Sequence, residues 1–105
     1  VHGIGPAVLA RVIQDYEEAA DRIGAPRELS RESLLETIAG TVEMMLRSRR
    51  PAADVIREVA SPGGVTAKAL EALEKGGLAA AIADAVETAY RRTLEIRGEE
   101  EEKFP

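Results

Sequence analysis

Hydrophobic positions along the chain recur every three or four residues and nowhere alternate at a spacing of two for the length of a strand, so the pattern predicts helices throughout. After Pro6, a residue suited to a first helical turn, Val8, Leu9, Val12, Ile13, Tyr16, Ala19, Ala20 and Ile23 share one face of a helix from about Pro6 to Ile23. Gly24, Ala25 and Pro26 stop it. Ser30 has the chemistry of an N-cap for a second helix whose stripe is Leu34, Leu35, Ile38, Ala39, Val42, Met45 and Leu46 and which ends near Arg49. Pro51 opens a short third helix with Val55, Ile56 and Val59, and Ser61-Pro62-Gly63-Gly64 closes it. A fourth helix begins at Val65 or Thr66 with Ala69, Leu70 and Leu73 inward, Gly76-Gly77 breaks it, and a fifth runs from about Leu78 to Ile96. The expected fold is an all-α bundle of three long and two short helices.

The 105 residues suffice for one domain, placed at 1–97, with an acidic, poorly ordered tail expected over 98–105. Of the net charge of −5, the run Glu99, Glu100, Glu101, Glu102, Lys103 supplies −3, so the body is nearly neutral. That removes the positive field on which non-specific nucleic-acid binding depends. The absence of cysteine excludes disulfides, thiolate zinc sites and thiol nucleophiles, and a single His2 in a leader cannot assemble a multi-histidine metal site. No uncharged stretch, Gly76 to Ala83 among them, approaches the ~18 apolar residues that span a bilayer. A soluble, cytoplasmic protein without a membrane or nucleic-acid partner is expected.

With only Tyr16, Tyr90 and Phe104 as aromatics, the core depends on Ala, Val, Leu and Ile, which bury little area each. The fifth helix carries Ala81, Ala85 and Ala89 on one stripe, beside Ile82, Val86, Tyr90 and Leu94, a surface suited to close helix contact. A thin core together with such a stripe points to a dimer.

Among groups that could carry chemistry, Ser61-Pro62-Gly63-Gly64-Val65-Thr66 is the unusual one. Two glycines before a helix permit positive φ and gather backbone N–H groups, backed by the helix dipole, into a small anion site; the same residues also suit a plain interhelical turn capped by Thr66. Glu17, Glu18, Asp21 and Glu43 are expected on solvated faces rather than as an acid/base pair. Arg47, Arg49 and Arg50 read first as a C-terminal dipole device and only second as a phosphate grip, and Met44 and Met45 as packing rather than ligands.

These residues resemble the C-terminal helical domain of pyrroline-5-carboxylate reductase. Ser61-Pro62-Gly63-Gly64-Val65-Thr66 is similar to that family's Ser-Pro-Gly-Gly-x-Thr loop, Leu73-Glu74-Lys75-Gly76-Gly77-Leu78 to its Leu-Glu-x-Gly-Gly-Leu break, Gly3-Ile4-Gly5-Pro6-Ala7 to its Gly-Ser-Gly-Pro-Ala start, and Ala85-Val86-Glu87 follows at the family spacing. The likeness extends over residues 2 to 97. Departures are Ile4, Ala60, Val65 and Asp84, where the family has, in turn, Ser, a hydroxyl residue, a small or hydroxyl residue, and Asn. The resemblance implies an interlocked homodimer, with assembly into a higher oligomer left open, within an oxidoreductase of proline biosynthesis that uses NAD(P)H (NADH or NADPH). It implies that the backbone around Gly63, Gly64, Val65 and Thr66 receives the substrate carboxylate of pyrroline-5-carboxylate, or of the product proline, and that Thr66 places its hydroxyl, as the catalytic group, near the ring nitrogen. No Gly-x-Gly-x-x-Gly occurs here, so the dinucleotide is expected on a separate Rossmann domain and this chain is expected to bind no cofactor and to be inactive alone. A start at Val1 rather than Met fits a domain cut from a longer chain. The competing readings are a stand-alone, non-catalytic helical dimerisation module and, third, a generic helical adaptor.

Overall fold

The computed structural model describes residues 4–103, and within them it has five helices and no strand: α1 (Ile4–Arg22), α2 (Arg27–Ser48), α3 (Ala52–Val59), α4 (Val65–Lys75) and α5 (Leu78–Lys103). The all-α expectation holds. The start motif is only partly covered, since Gly3 lies outside the described residues, as do Val1, His2, Phe104 and Pro105.

Two helix ends differ from the pattern-based expectation for identifiable reasons. Ser30 is not an N-cap: α2 starts at Arg27 behind Pro26, whose carbonyl already accepts the Ser30 N–H at 3.0 Å. A proline just before a helix sacrifices no hydrogen bond, so four further residues, Arg27 to Ser30, join the helix at no loss. At the other end of the chain α5 continues past Ile96 through the acidic run to Lys103. A single Gly98 weakens the helix without ending it, because Glu is a good helix former and Arg92 holds Glu95 at 3.0 Å and Glu99 at 3.5 Å across successive turns. The change of composition at Gly98 is therefore not marked by a break in the backbone.

Alpha1 packs on α2 and α4 on α5, and the other helix pairs touch only lightly. Glu17 on α1 is half-buried at the first of these contacts and lies 3.8 Å from Arg31 on α2, rather than on the solvated face expected for it. The body measures 58 × 32 × 28 Å with a radius of gyration of 17.8 Å, against roughly 13 Å for a compact domain of this length. No described residue is fully buried. The stripes that the sequence pattern assigns to a core, Leu9, Val12 and Tyr16 on α1 and Ile82, Val86 and Tyr90 on α5, each keep at least 41% of their surface exposed. Between α1 and α5 they form an open apolar groove lined by Ile4, Val8, Leu9, Val12 and Val86. None of the helices is long and apolar enough to cross a membrane.

Candidate functional site

The site predicted at residues 61–66 is a tight turn running into a helix. Pro62 fixes the first corner, Gly63 supplies the positive φ of 74° that the second requires, and the Gly64 N–H closes the turn on the Ser61 carbonyl at 3.0 Å. Gly64 is then the N-cap of α4 in an extended conformation (φ −81°, ψ 175°), its carbonyl accepting the Lys68 N–H at 3.1 Å. A β-carbon on Gly64 would lie 2.6 Å from Ser61 Oγ and 3.2 Å from Ser61 O, so the second glycine is required by close approach and the first by conformation.

Thr66 does not cap the helix, for no side chain bonds the N-terminus of α4. The donors that point out of the turn are those of the first helical residues: Val65, Thr66 and Ala67 donate to no backbone carbonyl among the described residues. Gly64, expected as a donor to an anion, has its N–H engaged by the turn, whereas Val65 and Thr66 keep theirs. The Val65 side chain is 89% exposed beside them. Two or three parallel N–H groups at the positive end of a helix can hold one carboxylate.

A corner of a different kind leads into this loop. The C-cap Arg49 takes the left-handed conformation (φ 56°, ψ 28°), with its N–H on Met45 O at 2.8 Å. That turn sends Arg50 alongside α3, where its guanidinium meets the Glu58 carboxylate with both nitrogens, at 2.7 and 2.6 Å. The hydrogen bond from Arg50 holds the Glu58 carboxyl below the ordinary carboxylate range, against a smaller opposing effect of burial. Reciprocally, the hydrogen bond to Glu58 holds the guanidinium above its ordinary range, with the charges of Glu58 and Asp54 adding to it. The periodic pattern contained no signal for this pair, because it depends on the chain reversing at a non-glycine residue.

The remaining candidates are satisfied locally. Arg47 pairs with Glu43 at 2.7 Å within α2, and Asp21 lies 4.0 Å from Arg27, so neither a phosphate grip at Arg47, Arg49 and Arg50 nor a carboxylate pair is assembled. No group of three metal-binding side chains occurs among the described residues. Among the described residues there is no strand and no glycine-rich strand-to-helix turn of the kind on which a Rossmann domain holds a dinucleotide.

Comparison with known proteins is consistent along the whole body. The family model described as pyrroline-5-carboxylate reductase dimerisation matches residues 1–96. A Bacillus subtilis protein named pyrroline-5-carboxylate reductase 2 is 34% identical over 97 residues, covering 92% of this chain and 35% of its own length. The pyrroline-5-carboxylate reductase of Thermus thermophilus is 44% identical over 96 residues, covering 91% of this chain and 36% of its own. Among solved structures, Plasmodium falciparum pyrroline carboxylate reductase with NADP bound superposes with a TM-score of 0.78 at 39% identity, over 83% of this chain and 33% of that one. The chain spans about a third of the length of these relatives.

Proposed function

The chain belongs to the pyrroline-5-carboxylate reductase dimerisation family, and from that premise we propose that it is the dimerisation and substrate-carboxylate-binding part of an NAD(P)H-dependent reductase that makes proline. The observation that carries the dimeric half of this reading is the exposure in a single copy of Leu9, Val12 and Tyr16 on α1 and of Ile82, Val86 and Tyr90 on α5. A second copy laid along the α1 and α5 stripes covers them, and folding and association are then one process.

The substrate half is supported by the loop. Val65 and Thr66, with Ala67 adjacent, offer N–H groups to a carboxylate, while Gly63 and Gly64 shape the approach and keep side chains out of it. Thr66 adds a hydroxyl beside those donors, suited to the ring nitrogen of a cyclic imino acid, the atom that gains a proton on reduction. The residues described here do not fit a dinucleotide, so hydride supply belongs to residues outside this chain, and the 105-residue chain mixed with NADPH and substrate is expected to show no turnover above background.

Titration of the amide resonances with proline tests the site directly. Each hydrogen bond to a charged acceptor contributes roughly 1.5–3 kcal/mol before association costs of several kcal/mol, so the dissociation constant is expected on the order of millimolar. Shifts centred on residues 63–67 support the reading. Shifts elsewhere, or none at high concentration, leave the loop as a turn between helices.

A further inference from the structure

The polar groups between α2 and α4 follow one another along the chain, in contact from Met44 to Glu58 and joined from Glu58 to Ser61 by the backbone alone. Ser48 Oγ donates to Met44 O at 2.7 Å inside α2 and accepts the Arg50 N–H at 3.4 Å; the Arg50 guanidinium then grips Glu58 in the last turn of α3; and three residues beyond Glu58 the Ser61 carbonyl closes the Gly63–Gly64 turn. Other inter-element ion pairs are looser, at 3.8 Å for Arg31 with Glu17 and 4.0 Å for Arg27 with Asp21. Arg50 is also the less exposed partner of its pair, with 32% of its side chain accessible against 61% for Glu58. Alpha3 is only eight residues long and carries no side-chain cap at its N-terminus, so little else fixes its direction relative to α2.

We propose that Arg50 is a positioning residue for the carboxylate loop: by holding Glu58 in a two-point grip it sets the direction in which α3 delivers Ser61, and so the orientation of the Val65 and Thr66 donors. The inference rests on the reading of that loop as the carboxylate site. A planar two-point contact fixes direction as well as distance, which one ammonium–carboxylate contact does not. Exposed ion pairs contribute little to global stability, so the effect falls on the loop's geometry and leaves the helical scaffold intact.

The test uses the full 105-residue chain with Arg50→Lys, Glu58→Gln and the exchanged pair Arg50→Glu/Glu58→Arg, followed by two measurements. The first is the proline dissociation constant from amide shifts. The second, made without ligand, is hydrogen exchange at the Ala60 and Gly64 amides, which bond Ile56 O and Ser61 O at 2.9 and 3.0 Å. Each single variant is expected to weaken proline binding about threefold to tenfold and to speed exchange at Gly64 by a similar factor, with exchange in α1 and α2 unchanged. The exchanged pair is expected to return both readouts to within about twofold of the wild-type chain. Singles that match the wild type, a swap that restores neither readout, or faster exchange spread evenly through α1 and α2 would each overturn the proposal. If the wild-type chain binds no proline, the carboxylate reading fails, and the brace is judged on Gly64 exchange alone.

Discussion

Along α1 and α5 the residues that define the apolar stripes, Leu9, Val12, Tyr16, Val86 and Tyr90, remain between 41% and 55% exposed, and the grooves beside them are lined almost entirely by hydrocarbon. Between Ser48 and Gly64, only a short way along the chain, the backbone reverses twice and consecutive polar groups find partners within the same copy. The α1 and α5 faces are thus formed but left uncovered within one copy, whereas the corner is finished locally. The difference follows from range: a turn satisfies its groups with neighbours a few residues away, while an apolar face is satisfied only by another face of equal size. In this chain that other face is supplied, on our reading, by a second copy.

The comparison breaks most readily at the stripes. Val12→Asp puts a charge into the groove between α1 and α5, and if a second copy covers that groove the unpaired charge costs several kcal/mol in each subunit. The expected outcome in sedimentation at low micromolar concentration is loss of the dimer together with most of the helical signal. A folded monomer of 11.3 kDa, from the variant or from the wild-type chain, removes the dimer argument. The wild-type melting temperature should also rise with concentration, as it does when folding and association are coupled.

Changes in the loop should be smaller and confined to it. Gly63→Ala forces a β-carbon into φ 74° and is expected to cost about 1–2 kcal/mol in thermal or urea unfolding. Gly64→Ala meets Ser61 Oγ first, so adding Ser61→Ala should recover part of its loss, while Gly63→Ala gains nothing from that second change. A cost for Gly64→Ala that is the same with and without Ser61 would show that the close approach is not what demands glycine there. Thr66→Ala retains the N–H donors and should change proline affinity by less than about threefold, read by the same amide titration.

The smallest effect is expected from acid. Because Arg50 holds the Glu58 carboxyl below its unfolded value, the pair contributes fully above the ordinary glutamate range and is lost as the pH falls through the lower folded value. Carboxyl carbon resonances should show Glu58 titrating below an exposed glutamate. Glu58→Gln should remove that pH dependence from Gly64 amide exchange and leave the rest of the acid unfolding curve in place. A Glu58 carboxyl titrating in the ordinary range would mean that the grip is not held in solution.

Much of this was legible in the residue pattern. Spacing by three and four placed all five helices, and the glycine pairs at 63–64 and 76–77 marked two of their ends, because helical period and φ > 0 are properties that single residues and near neighbours decide. Helix limits were less legible where two local rules competed. Ser30 had capping chemistry but Pro26 lay close enough upstream to start the helix first, and the acidic run after Gly98 had the charge of a loose tail but also the helix propensity and the Arg92 partner that extend α5.

By itself, the sequence determined the all-α class, the two reversals flanking α4 and a loop whose backbone is suited to an anion, since each depends on contacts within a few residues. Only the tertiary structure decided that the Gly64 N–H serves the turn and leaves Val65 and Thr66 as donors, that Arg49 reverses the chain without glycine so that Arg50 reaches Glu58, and that the apolar stripes stay open. Those outcomes depend on the direction in which one element leaves another, which is set by a few torsion angles at the corners and is then magnified along helices tens of ångströms long.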